Sequence, residues 1–363
     1  MTEIINGYLS DGVATLAHGD CREYYITLAA DRDQNTMKAA ADVVAGMGAR
    51  VLHQFVFGGC RHYPRFKAAL KKNGWPTNWL QGDACRKGEM LSTQLTAISG
   101  VSARPVSLNG ATLGYCYDDE AGRHCRLGNI RPEDSKAPRE EQAASVFRRM
   151  AAALESCGMA FTDTVRTWLY LDRLLEWYGP FNRVRTRFFE EQGVFDGVVP
   201  ASTGIGAGNP SGAAVSAALI ALRPSNGSAT VTGVPSPLQC SARNYKSSFS
   251  RALEIAYPSH RLLYISGTAS IAPTGESMHK GNASAQISLT MEVVGTILKS
   301  RGMDWHDALR GVAYYKDIRA HQPLFDAYCR ALAIPRLPLA VSHADICRND
   351  LLFEIELDAA RAD

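Results

Sequence analysis

Apolar and polar positions along this chain alternate between two periods. In some stretches every second residue is apolar, as a strand with one buried face requires. In others apolar residues recur three and four apart, as a helix with one buried face requires. The two kinds follow one another in a similar order three times along 363 residues. The first pass predicts a strand at 22–29, an Ala-rich helix at 36–48, a strand at 51–57, a helix at 63–74 and a strand at 90–99, with WPTNWLQGD (75–83) before the last. The second predicts a strand at 110–119, a helix at 140–158, a strand at 164–171, a helix at 181–193, and PASTGIG followed by a strand at 213–222. The third predicts 260–273 as strand, 283–302 as helix, 309–317 as strand, 323–334 as helix, and closing strands at 337–346 and 351–359. Each pass reads β-β-α-β-α-β-β, the first worn down at its start. Gly48, Gly74, Gly158, Gly193 and Gly302 each stand just past an amphipathic stretch, where a left-handed helix cap favours glycine. The Gly-, Pro- and Ser-rich 223–239 reads as a linker. The chain therefore divides into 1–109, a degenerate module; 110–238, a second module with its linker; and 239–363, a third. The fold class is α+β.

Composition narrows the function classes. With 39 basic and 36 acidic residues, net +3, the surface is not built to coat nucleic acid. GCRHYPRF (59–66) mixes basic and aromatic residues but reads as a helix start. No apolar run approaches the ~18–20 residues of a membrane span, and MTEIINGYLSDG lacks a basic-then-apolar leader, so no secretory signal is expected. Nine cysteines, odd in number and without CxxC pairs, read as reduced thiols of a cytoplasmic protein. His53, His62 and His124 lack metal-ligand spacing, so no metal site is read from them.

Several motifs carry a resemblance. SSFSRALEI, RLLYISGTASIAPTGE, the Gln-containing helix after it and LLFEIELDA resemble the Rid (YjgF) family, whose members form homotrimers with ligand sites between subunits. YGPFNRVRTRFF (178–189), VPASTGIGAGNPSG (199–212), SGTAS (266–270) and ADICRNDLLFEIE (344–356) are similar to the chorismatases, which split chorismate into pyruvate and a six-membered ring acid. The resemblance covers about 113–358 well and 1–100 only in pattern. It implies three Rid-like modules fused into an intramolecular pseudotrimer, because three half-covered sheets must bury their open faces on each other. A monomer or weak dimer follows, since one chain already completes the trimer. Rid imine deaminases hold the substrate carboxylate with an arginine; the matching places here carry Asn78, Ser202 and Leu339, which argues against imine deamination. The Rid glutamate of the last strand survives only as Glu354, so one working site is expected.

Cleaving the enol ether of chorismate requires a proton on its methylene carbon, hence a carboxylic acid kept protonated by a partly apolar pocket. In LLFEIELD, strand alternation puts Glu354 and Glu356 on one face and Phe353, Ile355 and Leu357 on the other. Pattern alone also allows both carboxylates to face solvent; the resemblance selects Glu354 as the acid. Two substrate carboxylates call for two cations, and arginine suits planar anions. On 181–189, Arg185 shares a face with Phe181, Phe188 and Phe189, while Arg183 and Arg187 point elsewhere. Tyr178, seven residues earlier, could donate a hydroxyl. Arg251 takes the place of the glutamine in the Rid Y-S-Q-A motif, and Phe249 that of its tyrosine. Gly267 could let a ligand reach backbone N–H groups, or simply make a strand bulge. Cys347 stands where a cysteine of the hydroxybenzoate-forming chorismatases helps keep water away; otherwise it is a small core residue. Ala269 fits the hydrolytic class at least as well. The expectation is 3-hydroxybenzoate plus pyruvate, with hydrolysis to a dihydroxycyclohexadiene carboxylate, or a non-catalytic Rid-like small-ligand binder, as alternatives.

Overall fold

The computed structural model describes residues 5–7, 12–29, 36–82, 90–225, 227–242 and 247–362. The first module runs β1 (Ile5–Gly7), β2 (Gly12–His18), β3 (Cys21–Ala29), α1 (Thr36–Gly46), β4 (Arg50–Gly58), α2 (Tyr63–Asn73), β5 (Thr77–Gln81) and β6 (Met90–Ser99). The second runs β7 (Arg104–Leu108), β8 (Ala111–Asp119), β9 (Gly122–Ile130), α3 (Arg139–Ser156), β10 (Thr164–Leu171), α4 (Tyr178–Glu191), β11 (Ala201–Gly206) and β12 (Val215–Pro224). The third runs β13 (Thr230–Val234), β14 (Ala252–Ala256), β15 (His260–Ala269), α5 (Ala283–Ser300), β16 (Ala308–Tyr315), α6 (Ile318–Ala331), β17 (Leu339–His343) and β18 (Phe353–Ala362). The five glycines expected as helix caps all have positive φ, between 59° and 73°.

All three sheets share one strand order. Numbering each module's strands one to six, the order is 1-2-3-6-4-5, and only the 4–5 pair is parallel. Each module thus opens with three strands where two were expected, and the first is not worn down among its described residues. Two of the overlooked strands gave little apolar signal. The edge strands β7 and β13 each bury a single residue, Val106 and Val234. They place the start of the second sheet at Arg104, ahead of the expected boundary at 109, and that of the third inside the expected linker. β9 (GRHCRLGNI) looks too polar for a strand, yet its polar groups find partners: Arg126 ion-pairs with Glu23 of β3, and His124 Nε2 lies 2.9 Å from Asp119 Oδ1. Buried charge is tolerated where it is paired.

The helices cover the outer sheet faces, each module packing its own core against them. The inner faces meet in one shared cluster that draws Leu16, Tyr25 and Phe55 from the first sheet, Val165, Trp168 and Tyr170 from the second, and Leu253, Tyr264 and Tyr314 from the third. This is the pseudotrimer, held by apolar burial about a common centre. The parallel edge strands form the seams: β5 abuts β9, β11 abuts β15 and β17 abuts β6. No helix among the described residues is long and apolar enough to cross a membrane.

Candidate active site

Three seams are equivalent by topology, and strand register identifies their matching positions. Glu354 lies opposite Tyr314 on β16, Ser216 opposite Tyr170 on β10, and Ser92 opposite Phe57 on β4. Only the third module places an acid there. The other two seams are bridged directly. Asn78 Nδ2 donates to Ser216 Oγ at 2.7 Å, and Ser92 Oγ donates to the Val341 carbonyl at 3.3 Å. The seam holding Glu354 instead opens into a cavity of about 200 Å³ between the second and third modules. The register corrects one expectation. Ser202 pairs with Thr167 and Leu339 with Gly311, and the equivalent of both in the first module is Thr77, opposite Gln54, rather than Asn78. No arginine stands at any of these places.

The cavity brings together Glu354, Cys347, Tyr178, Arg185, Arg251, Gly267 and Ala269. From α4 come Tyr178, Asn182 and Arg185, spaced four and three apart on one helix face. Arg185 is 1% exposed, with Nη2 donating to Asn182 Oδ1 at 2.7 Å and Cζ 5.8 Å from the centre of the Phe181 ring. Arg183 lies on the solvent side, 3.7 Å from Glu140. Across the seam, Arg251 is buried, its Nε donating to the Cys240 carbonyl at 3.0 Å and its Cζ 5.5 Å from the Phe249 ring centre. Ala269 packs with Ile271, Ile346 and Leu351 into an apolar wall, against which Cys347 sits half-buried. The sequence reading missed Arg348, which brings a third guanidinium into the cavity. It stands beside Cys347 in the motif already singled out, and that adjacency was the available signal.

Of the two expectations for Gly267, the strand bulge is present, the β15–β18 register shifting between Ile265 and Thr268; the glycine also has a part that neither foresaw. Its N–H donates to Thr203 Oγ1 at 3.0 Å, so it does not point at a ligand. What matters is the missing side chain: a Cβ there would overlap Glu354 Oε1 and crowd Thr203 Cγ2. The glycine makes room for the carboxyl. Gly267→Ala is therefore expected to displace Glu354 and reduce turnover by at least ~10²-fold, the low end of general-acid contributions, while the circular dichroism spectrum stays as in the parent. Turnover within a few-fold of the parent would show that the carboxyl position is not critical.

Glu354 and Glu356 do share a face of β18, with Phe353, Ile355 and Leu357 packed into the helix-side core, but neither faces solvent. Glu356 is fully buried and clamped, accepting from Arg310 Nη2 at 2.7 Å, Arg166 Nη2 at 2.9 Å and Trp168 Nε1 at 2.9 Å. Burial alone would raise its carboxyl; Arg310 and Arg166 outweigh that and hold it below the ordinary value. Glu354 is 4% exposed, and among the described residues no ion pair or hydrogen bond reaches its carboxyl. Burial, then the Glu356 charge, push it up to about 8 against the pull of Arg251 and Arg166. Burial and the neighbouring Glu354 push the Cys347 thiol up to about 12, so it stays protonated at neutral pH. The site thus joins a carboxylic acid that keeps its proton, a neutral thiol and three guanidinium groups. Such an arrangement can bind a polyanion and protonate it.

Comparison with known proteins bears on the fold and on sequence similarity. The Endoribonuclease L-PSP family matches residues 242–361, the third module. A chorismatase of Streptomyces rapamycinicus is 27% identical over 222 residues, 54% of this chain and 64% of the relative. A 3-hydroxybenzoate synthase of Streptomyces hygroscopicus is 26% identical over 242 residues, 60% of this chain and 68% of the relative. The match to the first of these therefore spans a little under two thirds of that relative's own length. A chorismatase crystal structure superposes with a TM-score of 0.67 at 18% identity, covering 93% of this chain and 98% of that one. In fold over nearly its whole length, and in sequence over somewhat more than half of it, the chain is similar to the chorismatases.

Proposed function

We propose that this protein is a cytoplasmic chorismatase that takes chorismate into the cavity between its second and third modules and releases pyruvate. The observation that carries this reading is Glu354: a buried carboxyl that holds its proton up to about pH 8, in a cavity walled by Arg185, Arg251 and Arg348. The arginines supply the forked donors that planar carboxylates need. Glu354 passes its proton to the methylene carbon of the enol ether, giving an oxocarbenium ion. In the hydrolytic branch water adds to that ion, and the hemiketal collapses to pyruvate and a dihydroxycyclohexadiene carboxylate. In the other branch a ring hydroxyl displaces the ether oxygen and the ring aromatises; pyruvate and hydroxybenzoate then contain all the atoms of chorismate, and no water is consumed.

The hydroxybenzoate branch, specifically 3-hydroxybenzoate, is favoured by Cys347. Its neutral thiol closes the apolar wall of Ala269, Ile271 and Ile346 beside the acid and leaves less room for water. Cys347→Ala is expected to lower the share of hydroxybenzoate and raise that of the hydrolysis product, with total pyruvate changing less than the ratio. Chromatography of the ring products checks this; an unchanged ratio removes Cys347 from product control. The proposal as a whole is tested by incubating the protein with chorismate and following pyruvate. Binding without turnover would favour a non-catalytic ligand binder instead. The chain closes its own pseudotrimer, so we infer that it acts as a monomer or weak dimer.

A further inference from the structure

Glu356 is two residues from the acid and belongs to a different environment. Successive side chains on one face of a strand stand about 7 Å apart, close enough for one charge to act on the other through a dry interior. The clamp on Glu356 also reaches the acid by a second route. Arg166 Nη2, which holds Glu356 at 2.9 Å, donates to Thr203 Oγ1 at 2.8 Å as well. The same Thr203 oxygen accepts the Gly267 N–H at 3.0 Å, and the bare Cα of Gly267 is what admits the Glu354 carboxyl.

We propose that Glu356, held by Arg166 and Arg310, is the positioning residue of the site: its fixed negative charge keeps the proton on Glu354, and the link through Thr203 and Gly267 fixes where that carboxyl sits. This rests on Glu354 as the proton donor. Among the described residues, the other charged or titratable groups facing Glu354 come from several elements around it. Tyr314 faces it from β16, Arg166 from β10, and Arg251 from the segment before β14. Cys347 and Arg348 face it from the loop before β18, and Tyr178 and Arg185 from α4. The four arginines all favour the carboxylate, while burial keeps the Tyr314 hydroxyl and the Cys347 thiol neutral at pH 7. Glu356 is the one anion in the set, and with burial it favours the protonated acid.

The test is a direct titration of the Glu354 carboxyl without substrate, by infrared difference spectroscopy assigned through subtraction of the Glu354→Gln spectrum. Glu356→Gln removes the anion and leaves Arg166 and Arg310 in place, so the Glu354 midpoint is expected to fall by about 1–2 units. Glu356→Asp keeps the charge and is expected to retain most of the parent midpoint. Arg166→Gln removes a cation and is expected to move the midpoint upward. A merely structural role for the network predicts no such opposed shifts. A Glu356→Gln midpoint unchanged from the parent overturns the proposal, and so does an unmoved midpoint in Arg166→Gln should Glu356→Gln fail to fold. Because the titration needs no substrate, variants that shift as expected beside a parent protein that releases no pyruvate from chorismate would overturn the functional reading alone.

Discussion

Replacing Glu354 with glutamine is expected to cut pyruvate release from chorismate by ~10²–10⁴-fold, the range a general acid contributes. The amide keeps the size and polarity of the carboxyl in a site made to fit it by Gly267, so the fold should survive; only the proton is lost. Activity within a few-fold of the parent would remove Glu354 from the mechanism. The pH profile carries the same signature. The folded carboxyl sits near 8 against an ordinary 4.5, so turnover should hold through neutrality and decline about tenfold per unit above pH 8, as the donor ionises. Stability follows with a definite sign. The folded state holds this proton more tightly than the unfolded chain, so the carboxyl costs the parent nothing below pH 4.5. The cost grows between 4.5 and about 8, then levels off. Glu354→Gln escapes it, and thermal melts should show the variant gaining on the parent across that window, with the largest gap at pH 8 and above. A constant gap at all pH values would mean that the carboxyl is not buried as the fold places it.

Much of this arrangement was legible from residue pattern, and the parts that were not share a physical cause. Helix phase was readable because a buried helix face repeats every three to four residues: Arg185 fell inside and Arg183 outside, as the spacing of Phe181, Phe188 and Phe189 implies. The face of β18 was readable too, since Phe353, Ile355 and Leu357 alternate with the acids. What could not be read was where a polar strand finds its partners. Glu354 and Glu356 are two like carboxylates two residues apart, and local pattern treats them alike. Their difference comes from Arg166, which reaches Glu356 from the second module, and from Arg310 on β16, the neighbouring strand of Glu356's own sheet, 46 residues earlier in the chain. β9 went unseen for the same reason, because its Arg126 is neutralised by Glu23, 103 residues earlier in the chain. The role of Gly267 was likewise invisible, as the atom that needs its space lies on a strand 87 residues further on.

Arg185→Ala is expected to weaken chorismate binding by about 2–5 kcal/mol, the cost of breaking one partner of a desolvated charge pair, or roughly 30- to 5,000-fold in affinity. The proposed site has two arginines on opposite walls, Arg185 from α4 and Arg251 from the segment before β14, so that a bound dianion is expected to take one fork from each module. Losing either leaves a carboxylate buried without its donor. Arg185→Lys retains charge but not the planar fork, and Asn182, which now accepts from Arg185 at 2.7 Å, would be left with a shorter reach to satisfy. Its loss should be intermediate. Arg183→Ala is the internal control: the side chain is exposed, its nearest acid is Glu140 at 3.7 Å, and an exposed pair of that kind contributes little. Titration calorimetry with chorismate on a Glu354→Gln background, where turnover does not consume the ligand, reads all four proteins on one scale. If Arg183→Ala binds as weakly as Arg185→Ala, the substrate lies on the outer face of α4 and the seam cavity is not its site. If neither change matters, the carboxylates are held elsewhere, and the case for a dianionic enol ether as substrate fails with them.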